Sequence, residues 1–235
     1  MGIIAASRLR GSGIRPLFEN SEAYYKCDGT TSGVLLDSKN SFNGTLNGGI
    51  TQGVTGKTAS AVESDGTSLS YLSIPRDTFN ENNFSLSFWL YYSSEYSFLR
   101  LILRGKHKAN PDLPNAGFAL LINDNNFSVY FFGDTSGLTS NSDLVLNSWN
   151  QIVVEKLNDN IKVYTNNVIK INGSKSYINT GISNDLYFGT LVRNNGTLIG
   201  DFSNTFLIDE IDIRKEQYTQ QQRDELYNNG NGTTI

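Results

Sequence analysis

Hydrophobic and polar residues alternate along much of this 235-residue chain, in short runs that are typical of β-strands. The clearest run is Phe84–Leu90 (FSLSFWL), in which four apolar residues occupy every second position. Successive side chains of a strand point to opposite sides of a sheet, so this run predicts a strand with one face in a core. Trp89 and Tyr91 fall on the opposite face, where we expect packing in the core rather than stacking on a ligand.

Short apolar runs of the same kind recur from Ala23 to the end of the chain, separated by clusters of Gly, Asn, Asp and Pro. This spacing predicts an all-β fold, a two-sheet antiparallel β-sandwich with tight turns. Asn125-Asn126 and Asn166-Asn167 predict two hairpin turns, and residues 37–57 are expected to be mainly turns. The predicted strands are 23–27, 69–74, 84–91, 97–104, 117–122, 126–132, 150–156, 160–165, 168–171, 185–190, 197–202 and 206–213.

One short helix is predicted near the C-terminal end of the sequence. Thr219 can cap it, and Gln222 three residues later completes a capping box. Leu226 and Tyr227 can pack inward, and Gly230 suits the position just past the last turn. The sandwich and this helix together are expected to form one domain over residues 22–235.

Residues 1–21 differ from the rest because glycines, serine and Pro16 interrupt any regular element. Two interpretations stay open, a frayed terminus and an extended arm that docks on a larger assembly. The apolar and basic side chains favour docking, and the candidate docking residues are Ile3, Ile4, Arg8, Arg10 and Arg15.

Composition excludes several function classes. The net charge of −4 and pI of about 5.0 provide no basic field for nucleic acid. The single cysteine, Cys27, rules out an internal disulfide and a cysteine-based zinc site, and is expected to be a small buried apolar residue. The single histidine, His107, makes a Ser-His-Asp triad a poor hypothesis.

No apolar run approaches the ~20 residues that cross a membrane, and the sequence opening is a poor secretory signal.

Several motifs occur in one order along residues 22–230 and together resemble the laminin-G-like jelly roll of the concanavalin A-like lectin/glucanase superfamily. The resemblance implies a sandwich with a lectin-like surface. The motifs are AYYKCDG at Ala23–Gly29, a Gly-x-x-Gly-Lys segment at Gly53–Lys57, the Phe84–Leu90 strand, a Trp-x-x-Ile/Val strand at Trp149–Val153, Tyr-x-Asn-Asn at Tyr164–Asn167, IDEI at Ile208–Ile211 and LYNNG at Leu226–Gly230.

The superfamily also suggests a glycoside hydrolase, because its glucanases place two glutamates around an aspartate on one strand. Retaining chemistry needs two carboxyl groups only ~5–5.5 Å apart. Glu210-x-Asp212 matches the first part of the glucanase sequence pattern. Glu216 lies too far along the sequence to be the second glutamate of that pattern, and Arg214 and Lys215 occupy the positions where this acid is expected. We therefore predict an ordinary strand with its isoleucines inward and its charged residues outward, and no enzymatic activity.

Calcium is the one candidate cofactor, and none is required by the predicted fold. Many relatives bind Ca²⁺ through carboxylates and carbonyls at the rim of the sandwich, and this ion takes 6–8 oxygen ligands. The resemblance implies Asp28, Asp37 and Asp209 as ligands. The alternative is that these aspartates stabilise turns through local hydrogen bonds.

Polar loops are the candidate glycan or partner surface, because binding residues favour loops on a rigid scaffold. The alternative is that these loops are simply solvated. The candidate residues are Lys106, His107, Asp112, Asp134 and Asn141.

The sequence thus predicts a non-enzymatic, lectin-like binding or display module. The opening MGIIAASRLRG resembles the N-termini of certain tailed-phage virion proteins. This implies a location on the virion surface, a capsid decoration, head fibre or tail component held in the assembly through the arm. The expected partners are a host-surface glycan and a second copy of the chain, with no nucleic acid and no membrane. The alternatives are a structural virion protein without a glycan ligand, a secreted or surface-attached bacterial protein, and the disfavoured hydrolase.

Overall fold

The protein is described by a computed structural model. It describes residues 14–67, 69–75, 78, 83–93, 99–105, 117–123, 126–131, 137–175, 185–192, 198–199 and 205–235. Within these ranges two α-helices flank the strands, α1 at Ile14–Glu19 and α2 at Gln220–Tyr227. The strands are β1 Ala23–Tyr25, β2 Val34–Leu35, β3 Gly44–Asn47, β4 Ile50–Thr55, β5 Ser60–Asp65, β6 Tyr71–Ile74, β7 Asn83–Tyr92, β8 Leu99–Gly105, β9 Gly117–Asn123, β10 Asn126–Phe131, β11 Leu138–Asn141, β12 Ser148–Leu157, β13 Asn160–Thr165, β14 Val168–Ser174, β15 Leu186–Phe188, β16 Leu191–Val192, β17 Leu198–Ile199 and β18 Thr205–Arg214.

The strands form two large antiparallel sheets and one small hairpin, β16-β17. The back sheet has the order β14-β13-β12-β7-β18-β5-β4, with β1 also paired to β18. The front sheet has the order β11-β10-β9-β8-β15-β6-β3-β2. The predicted two-sheet antiparallel sandwich is confirmed.

The main core lies between the two sheets, where their inward residues meet. Phe84 of the back sheet stacks on Phe118 of the front sheet with ring centroids 4.7 Å apart. Phe88 meets Phe188 edge to face at 5.4 Å. These contacts follow from the alternation in β7, which sends every second residue inward.

A second, smaller core covers the outer face of the back sheet. It joins the two helices and the last residues of the sequence to strands β12 and β13. Its members are Leu17, Tyr24, Val153, Tyr164, Tyr218, Leu226 and Ile235, with Phe18 packed against them.

The local turn and helix signals that fall within the described residues are confirmed with one difference, whereas Asn125 of the second predicted turn lies outside them. Asn166 and Asn167 both have positive φ, as a tight hairpin turn requires. Thr219 and Gln222 form the predicted capping box of α2. The helix ends two residues earlier than Gly230 suggested, because the left-handed cap is Asn228, at φ +47°.

The predicted extended conformation of residues 1–21 is wrong for its last part. Residues 14–19 form α1, and Leu17 of this helix is 0% exposed. Pro16 does not prevent the helix because it lies in the first turn, where its missing N–H costs no hydrogen bond. Arg15 belongs to α1, whereas the other docking candidates, Ile3, Ile4, Arg8 and Arg10, lie outside the described residues.

The stretch expected to be mainly turns also contains strands. Residues 37–57 include β3 and β4, and β4 continues through Gly53 by means of a bulge with φ +81°. These strands are short and polar on one side, so they give a weak periodic signal. No helix in the described part of the chain is long and apolar enough to cross a membrane.

Candidate binding surface

The outer face of the front sheet carries two aromatic side chains on neighbouring strands. Strand register places Thr45 (β3), Ser73 (β6) and Tyr187 (β15) in one row across the sheet. The adjoining row pairs Asn47 with Tyr71. The alternate residues of these strands point into the core, so these five point outward.

Tyr71 and Tyr187 form an open aromatic corner. Their ring centroids lie 5.9 Å apart and their planes meet at 60°. Both rings are partly exposed, and within the described residues neither phenolic O–H has a hydrogen-bond partner. Partial burial raises the pKa of both phenols, and the nearby Asp185 carboxylate raises both further. We call Thr45, Asn47, Tyr71, Ser73, Asp185 and Tyr187 the tyrosine surface.

A network of hydrogen bonds fixes the start of β6 and so the position of Tyr71. Asp65 accepts hydrogen bonds from Thr67 and from the Ser70 hydroxyl at 2.7 Å, which lowers the pKa of the Asp65 carboxyl. Ser70 in turn accepts the N–H of Gly49 at 2.8 Å. Gly48 allows this approach, because a Cβ there would lie 2.5 Å from the Leu69 carbonyl oxygen. The bonded loops therefore hold Asn47 beside Tyr71.

The glycan candidates chosen from polar loops are only partly within the structure. Lys106, His107, Asp112 and Asp134 lie outside the described residues. Asn141 is exposed at the end of β11, and its side-chain oxygen accepts the N–H of Asp143 at 3.0 Å. Their role in binding stays a prediction. The tyrosine surface was missed, although the alternation of Tyr71 and Ser73 with Leu72 and Ile74 carried a signal for it.

The calcium candidate Asp37 is the hydrogen-bond acceptor of a loop. Its two carboxylate oxygens accept four backbone N–H groups, from Tyr24, Lys39, Ser41 and Phe42, at 2.9–3.0 Å. A carboxylate offers about four lone-pair sites, and these donors use them. The arrangement therefore does not fit a cation at Asp37.

The other two candidates hold the turn before β5. Asp28 accepts the Ser60 N–H at 2.8 Å, and Asp209 accepts those of Lys57 and Thr58 at 2.8 and 3.0 Å. Among the described residues no group of three or more His, Cys, Asp or Glu side chains is placed to hold a metal. Calcium stays a prediction. Asp28 and Asp37 share a cleft of about 320 Å³, whose other lining residues are Lys26, Cys27, Gly29, Leu36, Ser38 and Asn40.

The charged residues of β18 point away from the main core, as predicted, but they are buried on the outer face of the back sheet. Asp209, Glu210, Asp212 and Arg214 are each at most 5% exposed, whereas the isoleucines do point inward as expected. A bulge between Asp209 and Asp212 interrupts the pairing with β7, and Glu210 adopts φ +51° there. The second core then covers these side chains.

Glu210 joins three separate parts of the chain. Its carboxylate accepts hydrogen bonds from the hydroxyls of Tyr24, Thr58 and Thr234, the last at 2.7 Å. Burial raises the pKa of Glu210 to about 8 and that of the neighbouring Asp209 to about 7. Asp212 adds to the rise at Glu210 by charge repulsion.

An ion pair behind Glu210 attaches α1 to the sheet. Arg214 donates to Asp212 at 2.7 Å and to the Leu17 carbonyl at 2.6 Å, and Tyr218 donates its O–H to Asp212 at 2.8 Å. Lys39 also contacts α1, because its ammonium group donates to the Phe18 carbonyl at 3.1 Å. The N-terminal helix is thus held by two cations.

A second ion pair attaches α2. Arg223 donates to Glu155 of β12 at 2.9 Å and lies over the ring of Tyr164. Burial raises the pKa of Glu155 despite the attraction of Arg223. Trp89 is buried under Tyr227 with parallel rings 6.0 Å apart, which confirms core packing for this tryptophan. Tyr91, for which core packing was also predicted, is instead partly exposed.

The carboxylates considered for hydrolysis therefore occupy different surroundings. Glu210 and Asp212 are covered by side chains from both ends of the described chain, and neither lines the cleft described above. Glu216 is exposed in the segment that follows β18.

Comparison with solved structures finds jelly-roll domains of similar shape. One is Trypanosoma rangeli sialidase, with a TM-score of 0.69 and 11% identity over 92% of this chain and 34% of that chain. Another is the botulinum neurotoxin serotype D binding domain, with a TM-score of 0.66 and 14% identity over 93% of this chain and 53% of that chain. The chain thus spans about a third to a half of these proteins, and identities this low show the fold alone.

At the level of sequence, no curated protein matches the chain. A laminin-G family model, described as concanavalin A-like lectin/glucanases superfamily, matches residues 65–222, which is more than half of the chain. The match covers most of both sheets and part of α2. The chain belongs to the concanavalin A-like lectin/glucanases superfamily.

Proposed function

We propose that this protein is a non-enzymatic, lectin-like module that binds a glycan at the tyrosine surface. The observation that carries the proposal is the Tyr71–Tyr187 corner, which is partly exposed and whose hydroxyls have no hydrogen-bond partner among the described residues. The C–H groups on one face of a sugar ring carry partial positive charge, and aromatic faces are negative, so the two pack favourably. Tyrosine adds a hydroxyl at low entropic cost, which suits it to recognition.

The polar neighbours of this corner support the same function. Asn47 provides an amide, Thr45 a hydroxyl and Asp185 a carboxylate around the two rings. Specific small-molecule sites combine apolar contact area with a few placed polar groups that fix orientation. A shallow surface of this kind gives weak binding per site, so many copies are needed for avidity.

Display on a tailed-phage virion is the second part of the proposal. It is supported by the resemblance of the MGIIAASRLRG opening to N-termini of virion proteins. The first described element, α1, packs on the back sheet, on the side away from the tyrosine surface. Attachment through that side leaves the front sheet facing outward.

The proposal excludes catalysis, and the positions of the acids support this. Glu210 is enclosed by three hydroxyl groups and Asp212 by Arg214 and Tyr218. A hydrolase of this superfamily would need such acids beside a bound sugar. Hydrolysis of a glycan that binds, impaired by Glu210→Gln, would contradict this part of the proposal.

A glycan array probed with a multivalent form of the chain, with and without calcium, tests the binding function. We expect at least one specific signal that is lost in the Tyr71→Ala/Tyr187→Ala variant. Val168→Ala is the matched control, because Val168 is 56% exposed on the back sheet. A folded protein without any signal would favour the structural virion protein, and a double variant that keeps every signal of the parent would place the site elsewhere.

A further inference from the structure

Besides the tyrosine surface of the front sheet, a row of partly exposed apolar side chains crosses the back sheet, beyond the region that the helices cover. Strand register places Leu207 (β18) beside Tyr91 (β7), and Tyr91 beside Trp149 (β12). All three side chains are partly exposed. We call these three residues the aromatic shelf.

The neighbouring row of residues on the same face is buried instead of partly exposed. Asp209, Trp89 and Gln151 occupy the equivalent positions two residues along the three strands, and each is at most 2% exposed. Tyr227 covers this row by stacking on Trp89. Within the described residues the cover therefore ends between the two rows, which lie ~7 Å apart along the strands, and the aromatic shelf stays partly exposed.

The shelf has the geometry of a corner for one ring-shaped ligand. The rings of Tyr91 and Trp149 have centroids 5.7 Å apart and planes at 65°. One ring can lie against the face of a sugar while the other meets its edge. Three side chains are far fewer than the 20–30 residues per side of a stable protein interface, so a small ligand fits the shelf better than a protein partner.

Gln151 gives the shelf a polar group. It lies two residues from Trp149 on the same face, and both atoms of its amide are buried without a hydrogen-bond partner among the described residues. Leaving a buried amide unpaired costs about 1–3 kcal/mol per group. A ligand with adjacent hydroxyls can donate to the oxygen and accept from the nitrogen, after a rotation of the Gln151 side chain toward the shelf.

We propose that the aromatic shelf is a second saccharide site, which binds one neutral hexopyranose residue against Trp149 and Tyr91. The sugar stacks on the indole, and its hydroxyls pair with the Gln151 amide. The three side chains of the shelf carry no charge, and the Glu63 carboxylate beside Leu207 disfavours an anionic sugar, so we expect a neutral one. The site is independent of the tyrosine surface, because it lies on the other sheet.

Tryptophan fluorescence of the full chain tests this site directly, because the sequence has only two tryptophans and Trp89 is buried. The probes are galactose, glucose, mannose and N-acetylglucosamine, titrated singly. We expect at least one sugar to change the emission saturably and to protect Trp149 from acrylamide quenching. The Trp149→Phe variant, shown to be folded by circular dichroism, should lose the response.

Two further variants separate this site from others. Gln151→Met keeps the size of the side chain but removes the amide, and should weaken binding about 2- to 10-fold, as expected for one net hydrogen bond. Tyr71→Ala/Tyr187→Ala should leave the tryptophan response unchanged. If no sugar alters the emission, or if the response persists in Trp149→Phe, the inference is overturned. Glycan binding through the tyrosine surface could still be found in that case.

Discussion

The outer faces of the two sheets differ although both belong to strands with the same alternating pattern. On the back sheet, α1, α2 and the last residues of the chain cover most of the face, and acids and arginines pair beneath them. On the front sheet, Tyr71 and Tyr187 stay partly exposed, and no described residue forms a hydrogen bond with their hydroxyls. Alternation therefore decides which residues leave the main core, whereas the terminal segments decide which of these are buried again.

The largest effect should come from breaking the ion pair under the back-face cover. Arg214→Met leaves Asp212 buried without its cation, and removing one partner of a buried pair typically costs about 3–5 kcal/mol. We expect a loss of this size in the free energy of unfolding, measured by urea denaturation. Lys215→Met is the control, because Lys215 pairs with Glu22 at the surface and such pairs contribute about 0–1 kcal/mol. Equal effects of the two variants would refute a special role for Arg214.

Leu17→Ala tests whether α1 is an integral part of the back face. Leu17 is completely buried in the second core, and such truncations cost about 2–5 kcal/mol. Leu157→Ala is the control, since Leu157 is 40% exposed and should change stability by about 0.5 kcal/mol or less. A tolerated Leu17→Ala would show that α1 is dispensable. If Leu17→Ala lowers the free energy of unfolding as expected, truncated chains that begin at Ser21 and so lack α1 are unsuitable for binding assays.

The stability of the protein should depend on pH because of the buried acids on the back face. The pKa of Glu210 is about 8 in the folded protein and 4.5 as an ordinary glutamate, so the folded state binds more protons between these values. Stability from this group is therefore fully present below pH 4.5 and is lost as the pH rises through about 8. The slope is at most about 1.4 kcal/mol per pH unit. Asp209, with a pKa of about 7, acts in the same direction.

Glu210→Gln should reduce this slope, because glutamine cannot ionise, and should stabilise the protein relative to the parent at pH 9. Urea denaturation at several pH values between 5 and 9 measures the effect. Glu216→Gln is the control, because Glu216 is exposed and should leave the slope unchanged. A slope that is identical in Glu210→Gln and the parent would show that Glu210 ionises normally.

The sequence predicted what depends on local pattern. The alternation in Phe84–Leu90, the Asn166-Asn167 turn and the Thr219 capping box each act over a few residues, and each is confirmed. The family motifs added the order of the strands. The fold was therefore predictable almost completely, apart from the short strands such as β3 and β4.

What failed depends on contacts between distant parts of the chain. Nothing near Arg214 in the sequence shows that Leu17 will accept its hydrogen bond, 197 residues away. The bulge at Glu210 likewise needs Thr58 and Thr234 to satisfy the carboxylate. The tyrosine surface was missed for a related reason, because Asn47 and Tyr71 become neighbours only when β3 pairs with β6.

The smallest effect on stability should come from substitutions on the front face. Tyr71→Phe and Tyr187→Phe remove only hydroxyls that have no partner among the described residues, so the free energy of unfolding should change by about 0.5 kcal/mol or less. Binding on the glycan array should weaken nonetheless, because each hydroxyl is available to a ligand. A large loss of stability instead would mean that the hydroxyls serve the fold. The front face would then be structural like the back face, and the tyrosine surface would no longer be a candidate site.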